Sequence, residues 1–244
     1  MSSFSEKDLV LLSYRNQRIK TSKHFILAIV FSTLLFLGGC GMLNMFTESY
    51  EDIRNEMLQH LYEKYGIEFT GDSLERGHQD YLIAFPTGGN MHEDFVRMQR
   101  YGSGDNVRYV DTFFGVIIRD DLEARVTAAL ADIGLPVKVF FPSNNTFFNN
   151  IFDGTKTFDD FNQWIAEGNS FHLRVTTFFE VDSVECFDTY ANHAIEKIQE
   201  TGYLLNVIFH FTPTEIFNQV TRNNRTDIIA RYRNEITSIT NIGR

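Results

Sequence analysis

The sequence is poor in the residues that cross-link or interrupt a chain, with two cysteines and four prolines among 244 residues. It also has a single tryptophan. So few cysteines exclude a disulfide scaffold. Basic residues are outnumbered by acidic ones, 22 against 32, which gives a formal net charge of −10. Because a nucleic-acid partner calls for clustered Lys and Arg, this balance argues against one. Phenylalanine is abundant, with 24 residues, and a chain of this length can bury a sizeable core.

Motifs for the common chemistries are also missing. The sequence has no G-x-S-x-G elbow and no G-x-x-x-x-G-K-[ST] loop. His92 and Glu93 begin like a zincin helix, but Val96 stands where the second histidine is required. A metal site from His78, Asp80 and His92 is an alternative to the simpler interpretation of these residues as surface loop positions. We therefore predict no catalytic residue, no metal and no cofactor other than a covalent lipid.

The N-terminal segment has the layout of an export signal. Residues 25–37 are apolar apart from one serine and one threonine, which suits the core of a secretory signal. The leader before this run is basic, with Lys7, Arg15, Arg18, Lys20 and Lys23. Because positively charged flanks stay on the cytoplasmic side, the rest of the chain is directed outward.

The residues after the apolar run suggest how the chain is attached. Leu37, Gly38, Gly39 and Cys40 form an aliphatic residue, two small residues and a cysteine. This pattern resembles the lipobox of bacterial lipoproteins. In that family the cysteine thiol receives a diacylglyceryl group and the chain is cleaved just before it. The resemblance implies a signal peptide over 1–39, a lipid on Cys40, and a location on the extracytoplasmic face of the cell membrane.

An uncleaved membrane span is the alternative mode of attachment. Residues 25–46 are 22 consecutive uncharged residues, and about 20 suffice to cross a bilayer. Either mode leaves the folded part outside the cytoplasm. Without residues 1–39 the chain holds 17 basic and 30 acidic residues, a net charge of −13, which favours a well-solvated domain. Cys186, the remaining thiol, has apolar neighbours, and we interpret it as inert.

Hydrophobic periodicity predicts an α+β fold with antiparallel or mixed sheets and packed helices. We expect an amphipathic linker helix within 40–66 and an exported domain over 67–244, with possible halves at 67–142 and 157–244. The predicted strands are 67–70, 81–85, 95–100, 107–118, 137–141, 170–181 and 203–211. The predicted helices are 47–65, 120–133, 157–168, 182–202, a short one from 212 and a last one over 227–239. The order strand, helix, strand occurs twice, at about 107–141 and 170–211.

One loop has the composition of a contact patch. The segment 143–156 mixes asparagines with Phe147, Phe148 and Phe152, and aromatic anchors are typical of binding surfaces. The alternative is that these rings fold back onto the core, and strand edges offer another way to bind a partner. We expect a non-catalytic binding module for an unknown envelope or extracellular component. An exported hydrolase with dispersed catalytic residues and the solute-binding component of a transporter are the competing hypotheses.

Overall fold

The protein is described by a computed structural model that covers residues 48–102, 106–182 and 187–242. The chain forms two units, residues 1–53 and 54–244. The predicted lipobox Leu37, Gly38, Gly39 and Cys40 lies outside the described residues, as does Cys186. Within the described ranges, no helix is both long and apolar enough to span a bilayer.

The architecture is α+β, as the sequence predicts. The helices are α1 (Tyr50–Tyr65), α2 (Phe113–Leu130), α3 (Phe158–Ala166), α4 (Phe187–Glu200), α5 (Thr214–Gln219) and α6 (Arg225–Arg231). The strands are β1 (Phe69–Glu75), β2 (Asp80–Pro86), β3 (Val96–Tyr101), β4 (Arg108–Asp111), β5 (Val137–Phe140), β6 (Leu173–Glu180), β7 (Leu205–Thr212) and β8 (Thr237–Ile242).

Sheet 1 is an antiparallel meander in the order β1-β2-β3-β4. Helix α1 lies against one face, which we call the inner face. From this helix Arg54 Nη2 donates to the Gly71 carbonyl at 2.9 Å, and Met57 and Leu61 are fully buried. Beyond the helix, the ring of Phe69 packs edge-on against Phe113 at 4.9 Å. The burial of these apolar side chains holds the helix on the sheet.

Sheet 2 has the order β5-β6-β7-β8 and is mixed. Strands β6 and β7 are parallel and are connected through α4, whereas the outer pairs are antiparallel. The main core lies between this sheet and helices α2, α3 and α4. A smaller core on the opposite face is formed with α5 and α6 by Phe178, Ile216, Phe217, Val220 and Ile228. Both faces of sheet 2 are therefore packed, as expected for a sheet that contains a parallel pair.

Two predicted elements are wrong. The predicted strand 107–118 ends at Asp111, and Phe113 already begins α2. At this break Asp111 Oδ1 accepts the Phe113 amide, two residues further on, at 2.9 Å, as in an Asx turn. The N-cap of α2 is Thr112, whose side chain makes no capping hydrogen bond. Asp120 and Asp121, predicted at the helix N-terminus, instead lie inside α2.

The second correction concerns the C-terminal region. The predicted helix 227–239 stops at Arg231, and residues from Thr237 onward form β8. Pairing of β8 with β7 overrides the helical spacing of the apolar residues. The two strand–helix–strand segments also differ, since β4 and β5 belong to different sheets while β6 and β7 are neighbours.

Candidate functional site

The face of sheet 1 opposite α1, here called the outer face, is the most unusual surface of the described chain. Successive residues of a strand point to opposite faces, and in β2 Leu82 and Ala84 are fully buried on the inner face. The strand pairing gives the outer face Tyr81, Ile83, Phe85, Arg97, Gln99, Tyr101, Arg108 and Val110, together with Thr70, Ser73 and Glu75 of β1. A solvated face of an antiparallel sheet is usually polar. This one carries aromatic and aliphatic side chains, most of them half-buried.

The outer face carries two arginines, Arg97 and Arg108, and one carboxylate, Glu75 of β1. Among the described residues, neither Arg97 nor Arg108 forms an ion pair with a carboxylate. Arg108 is paired across the strands with Tyr101, four residues along β3 from Arg97. At about 3.3 Å per residue along a strand, the backbone positions of Arg97 and of the Tyr101–Arg108 pair are about 13 Å apart. The face thus presents two cations, separated by aromatic and apolar groups, against the single carboxylate of Glu75, in a chain whose net charge is −10.

Tyr81 stands between two depressions at the β1–β2 end of this face. One has a volume of about 360 Å³ and is lined by Glu75, Tyr81, Leu82, Ile83 and Arg97. The other has a volume of about 420 Å³ and is lined by residues of the connecting turn, Glu75, Arg76, Gly77, His78, Gln79 and Tyr81. The Tyr81 hydroxyl donates to Gln79 Oε1 at 2.8 Å. The Tyr81 side chain lines both depressions.

On the inner face, a charged network holds the strands from behind. Arg100, which is 3% exposed, contacts Glu56 of α1 at 3.2 Å and Asp80 of β2 at 3.3 Å. The Tyr109 hydroxyl donates to the same glutamate. Burial and this hydrogen bond raise the pKa of Tyr109 to about 12. The network therefore connects α1 to β2, β3 and β4.

A second inner-face cluster is more deeply buried. Lys64 donates to Asp111 Oδ2 at 2.6 Å, and the Tyr65 hydroxyl donates to Asp111 Oδ1 at 2.7 Å. Burial lowers the pKa of Lys64, and burial together with the nearby carboxylate raises the pKa of Tyr65. Burial also lowers the pKa of His60, whose ring stacks on Tyr109 at 4.2 Å. Both oxygens of the Asp111 carboxylate accept hydrogen bonds, so we interpret the cluster as one that stabilises the fold.

One serine and one histidine are in hydrogen-bond contact, as a nucleophile and its base would be. His210 Nδ1 lies 2.7 Å from Ser238 Oγ. The imidazole is buried and stacks on Phe178 at 4.8 Å, and burial lowers its pKa to about 4. A general base works best with a pKa near the operating pH. With its pKa lowered in this way, the histidine is a weak base at neutral pH.

The loop aromatics that the sequence singled out are divided by the structure. Phe148 and Phe152 are 1% and 4% exposed and belong to the main core, which is the alternative that the sequence left open. Phe147 stays at the surface, where Arg97 Cζ lies 5.5 Å from the centroid of its ring. Phe147 therefore borders the outer face. The rings of Phe148 and Phe152 instead pack edge-on against each other at 5.8 Å.

The residues of the alternative metal site are not assembled into one. Asp80 is engaged by Arg76 at 3.6 Å and by Arg100. Its guanidinium partners therefore occupy the carboxylate that a metal would need. Within the ranges that the structure describes, no group of three or more His, Cys, Asp or Glu is placed to hold a metal ion.

The outer face was missed from the sequence, although β2 contains a hint of it. Its residues Tyr81 to Phe85 are all apolar or aromatic, so both faces of this strand carry hydrophobic side chains. Comparisons of the chain with protein-family models, with curated proteins and with solved structures give no match. The function is accordingly argued from the residues themselves.

Proposed function

We propose that this chain is a lipid-anchored protein of the extracytoplasmic membrane face, whose α+β domain binds another envelope or extracellular component without catalysis. The pattern of Leu37, Gly38, Gly39 and Cys40 after an apolar run supports the anchor, and two acyl chains give stable attachment. A single N-terminal span would serve the same address. The observation that carries the binding role is the outer face of sheet 1, with its half-buried apolar residues and two arginines without carboxylate partners among the described residues.

The composition of the outer face suits the centre of a protein interface. Tyrosine and arginine are enriched at binding hot spots, where apolar side chains around them exclude water. Tyr81, Tyr101 and Ile83 supply the apolar area, and Arg97 and Arg108 supply the charge. A partner that covers this face must bring carboxylates to the two guanidinium groups, because a buried unpaired charge is costly. The predicted partner is therefore a protein with an acidic and apolar contact surface.

Rigidity of the platform favours binding as well. The strands of the outer face are fixed from the inner side by Arg100 and its carboxylate partners. Preorganisation of this kind lowers the entropic cost of association. The exported hydrolase and the transporter component stay predictions, and no contact in the described residues favours either over binding.

Site-specific photocrosslinking in the native cells tests the proposal. A photoreactive phenylalanine analogue replaces Tyr101 on the outer face of the full chain, and in the matched control it replaces Tyr62, which is 48% exposed on α1. We expect one discrete adduct with a different envelope protein from position 101 and none from position 62. Arg97→Glu in the same chain should reduce the adduct at least fivefold, whereas Arg231→Glu, at an exposed position of α6, should leave it unchanged. Equal adducts from both positions, or no effect of Arg97→Glu, would contradict the proposal.

A further inference from the structure

A depression beside α3 shares no lining residue with the two depressions of the outer face. It has a volume of about 270 Å³ and lies between α3 and the loop before it. Phe152 forms its floor, and Trp164 stands over this ring edge-on at 5.1 Å with an interplanar angle of 90°. Ile151, which is 48% exposed, borders the opening. The depression thus combines an aromatic corner with an apolar rim.

Carboxylates flank the tryptophan on both sides. Asp160 and Glu167 stand four residues before and three residues after Trp164, and this spacing places all three on one face of the helical segment. Hydrogen bonds from Thr157 lower the pKa of Asp160, so this carboxylate stays ionised. Lys156 Nζ is 4.0 Å from Asp160 Oδ1, and both side chains are about two-fifths exposed. This ion pair lies at the depression and is open to solvent.

Among the described residues, cation–π contacts occur at other rings of the fold but not at Trp164. Four rings in the described part of the chain have a Lys or Arg over them, at 4.6 to 5.5 Å from the ring centroid. No lysine or arginine of the described residues lies over Trp164 in this way. Tryptophan is nevertheless the best cation–π acceptor of the aromatic residues. A cation that enters this depression can therefore contact a tryptophan ring that no lysine or arginine of the described residues covers.

We infer that this depression binds a small organic cation of the alkylammonium class. The ammonium group would lie against Trp164 between Asp160 and Glu167, and its alkyl groups would contact Ile151 and Phe152. A volume of about 270 Å³ suits a ligand smaller than the drug-sized molecules that fill larger pockets. The net negative charge of the carboxylates over Lys156 favours a cation over an anion or a neutral molecule of the same shape.

The tryptophan provides its own assay because it is the chain's single tryptophan. The full chain is titrated in detergent with tetramethylammonium and n-butylammonium, and Trp164 fluorescence is recorded. tert-Butanol and n-butanol serve as neutral compounds of similar size. We expect a saturable change with the cations and no saturable change with the alcohols. A saturable change with the alcohols, or none with the cations, would overturn the inference.

Charge-neutral variants locate the site. Glu167→Gln should raise the Kd of tetramethylammonium at least threefold, because it removes one flanking carboxylate from an exposed position. Glu196→Gln makes the same change at an exposed position of α4 and should leave the Kd unchanged. An equal effect of the two variants would contradict a local site. A lysine-containing peptide that binds more than tenfold tighter than n-butylammonium would contradict the small-molecule assignment. Arg97→Glu, on the outer face, should not alter the titration, which separates this site from the proposed protein interface.

Discussion

Lys64 Nζ lies 2.6 Å from Asp111 Oδ2, with the two side chains 4% and 0% exposed. The pair joins α1 to the point where β4 ends and α2 begins. Asp111 also accepts the Phe113 amide, and its backbone pairs with Phe148 of the loop before α3. Asp111 therefore connects α1, the start of α2 and the loop that leads to the depression beside α3.

We expect Lys64→Met to destabilise the protein by about 3–5 kcal/mol, because it leaves the buried Asp111 carboxylate without its cation. Urea unfolding of the full chain measures this loss. Lys197→Met removes a partly exposed lysine that pairs at 2.9 Å with Glu200, whose side chain is 64% exposed, and it should have little effect because ion pairs at the surface contribute little. In the double variant Lys64→Met/Asp111→Asn, the loss of unfolding free energy should be smaller than the sum of the losses in the two single variants. A Lys64→Met variant as stable as the Lys197→Met control would show that the Lys64–Asp111 ion pair does not stabilise the fold.

His210 makes the stability depend on pH. Burial lowers its pKa from 6.5 to about 4 in the folded protein, so between these values the unfolded chain binds more protons at this residue. The free energy of unfolding should therefore be fully maintained above pH 6.5 and should fall as the pH is lowered toward 4, by about 3 kcal/mol for this residue.

His210→Gln removes this proton linkage. The acid-induced loss of stability, measured by urea unfolding between pH 7.5 and 4.5, should be smaller in the variant than in the parent by about 2–3 kcal/mol. The comparison isolates His210 from other groups that titrate in this range, such as His60, whose pKa is also lowered by burial. Identical pH profiles for the two proteins would show that the imidazole is not buried as described.

Gly115 allows α2 to approach the loop after β5. A Cβ built at this position would lie 2.6 Å from the Ser143 carbonyl oxygen. Although alanine is the better helix former, we expect Gly115→Ala to destabilise the protein by about 1–3 kcal/mol through this overlap. Gly77→Ala is the control, because the nearest atom to its added Cβ is 3.7 Å away. Thermal unfolding compares the two variants, and equal midpoints would contradict the close approach.

Arg222 requires the shape of its guanidinium group. Its two terminal nitrogens donate to the two carboxylate oxygens of Glu123 at 2.8 and 2.7 Å, and Glu123 also accepts the Phe141 amide at 2.7 Å. Because lysine cannot donate as a fork, Arg222→Lys should cost about 1–2 kcal/mol of unfolding free energy. Arg231→Lys, on the exposed side of α6, should cost nothing measurable. A lysine that fully replaces Arg222 would show that charge alone is sufficient there.

The elements with strong local patterns were predictable. Thr157 and Asp160 form the capping box that the sequence indicates, with both reciprocal hydrogen bonds present. The prediction of a strand over 113–118 was wrong because the apolar residues there fit a buried strand as well as a helix that is buried on several sides. Ile236 and Ile239 fit the spacing of a helix, but long-range pairing with β7 places Ile239 in a strand. Local periodicity contains no information about such pairing.

The candidate surface was not predictable for the same reason. The sequence shows that Tyr81 and Ile83 belong to a strand, but only the pairing with β1 and β3 brings Arg97 beside them. Likewise, Phe148 and Phe152 could not be assigned to surface or core before the position of α3 was known. Trp164 and Glu167 share a helix face in the sequence, yet the loop that completes their depression is placed by tertiary contacts.

The mature N-terminus provides the most direct test of the central claim, that this is a lipid-anchored binding module outside the cytoplasm. The chain is isolated from the membranes of its native cells, and its N-terminal peptide is analysed by mass spectrometry. We predict a peptide that begins at Cys40 and carries the mass of a diacylglyceryl modification, with residues 1–39 absent. An unmodified Cys40 within an intact chain recovered from the cytosol would contradict the account.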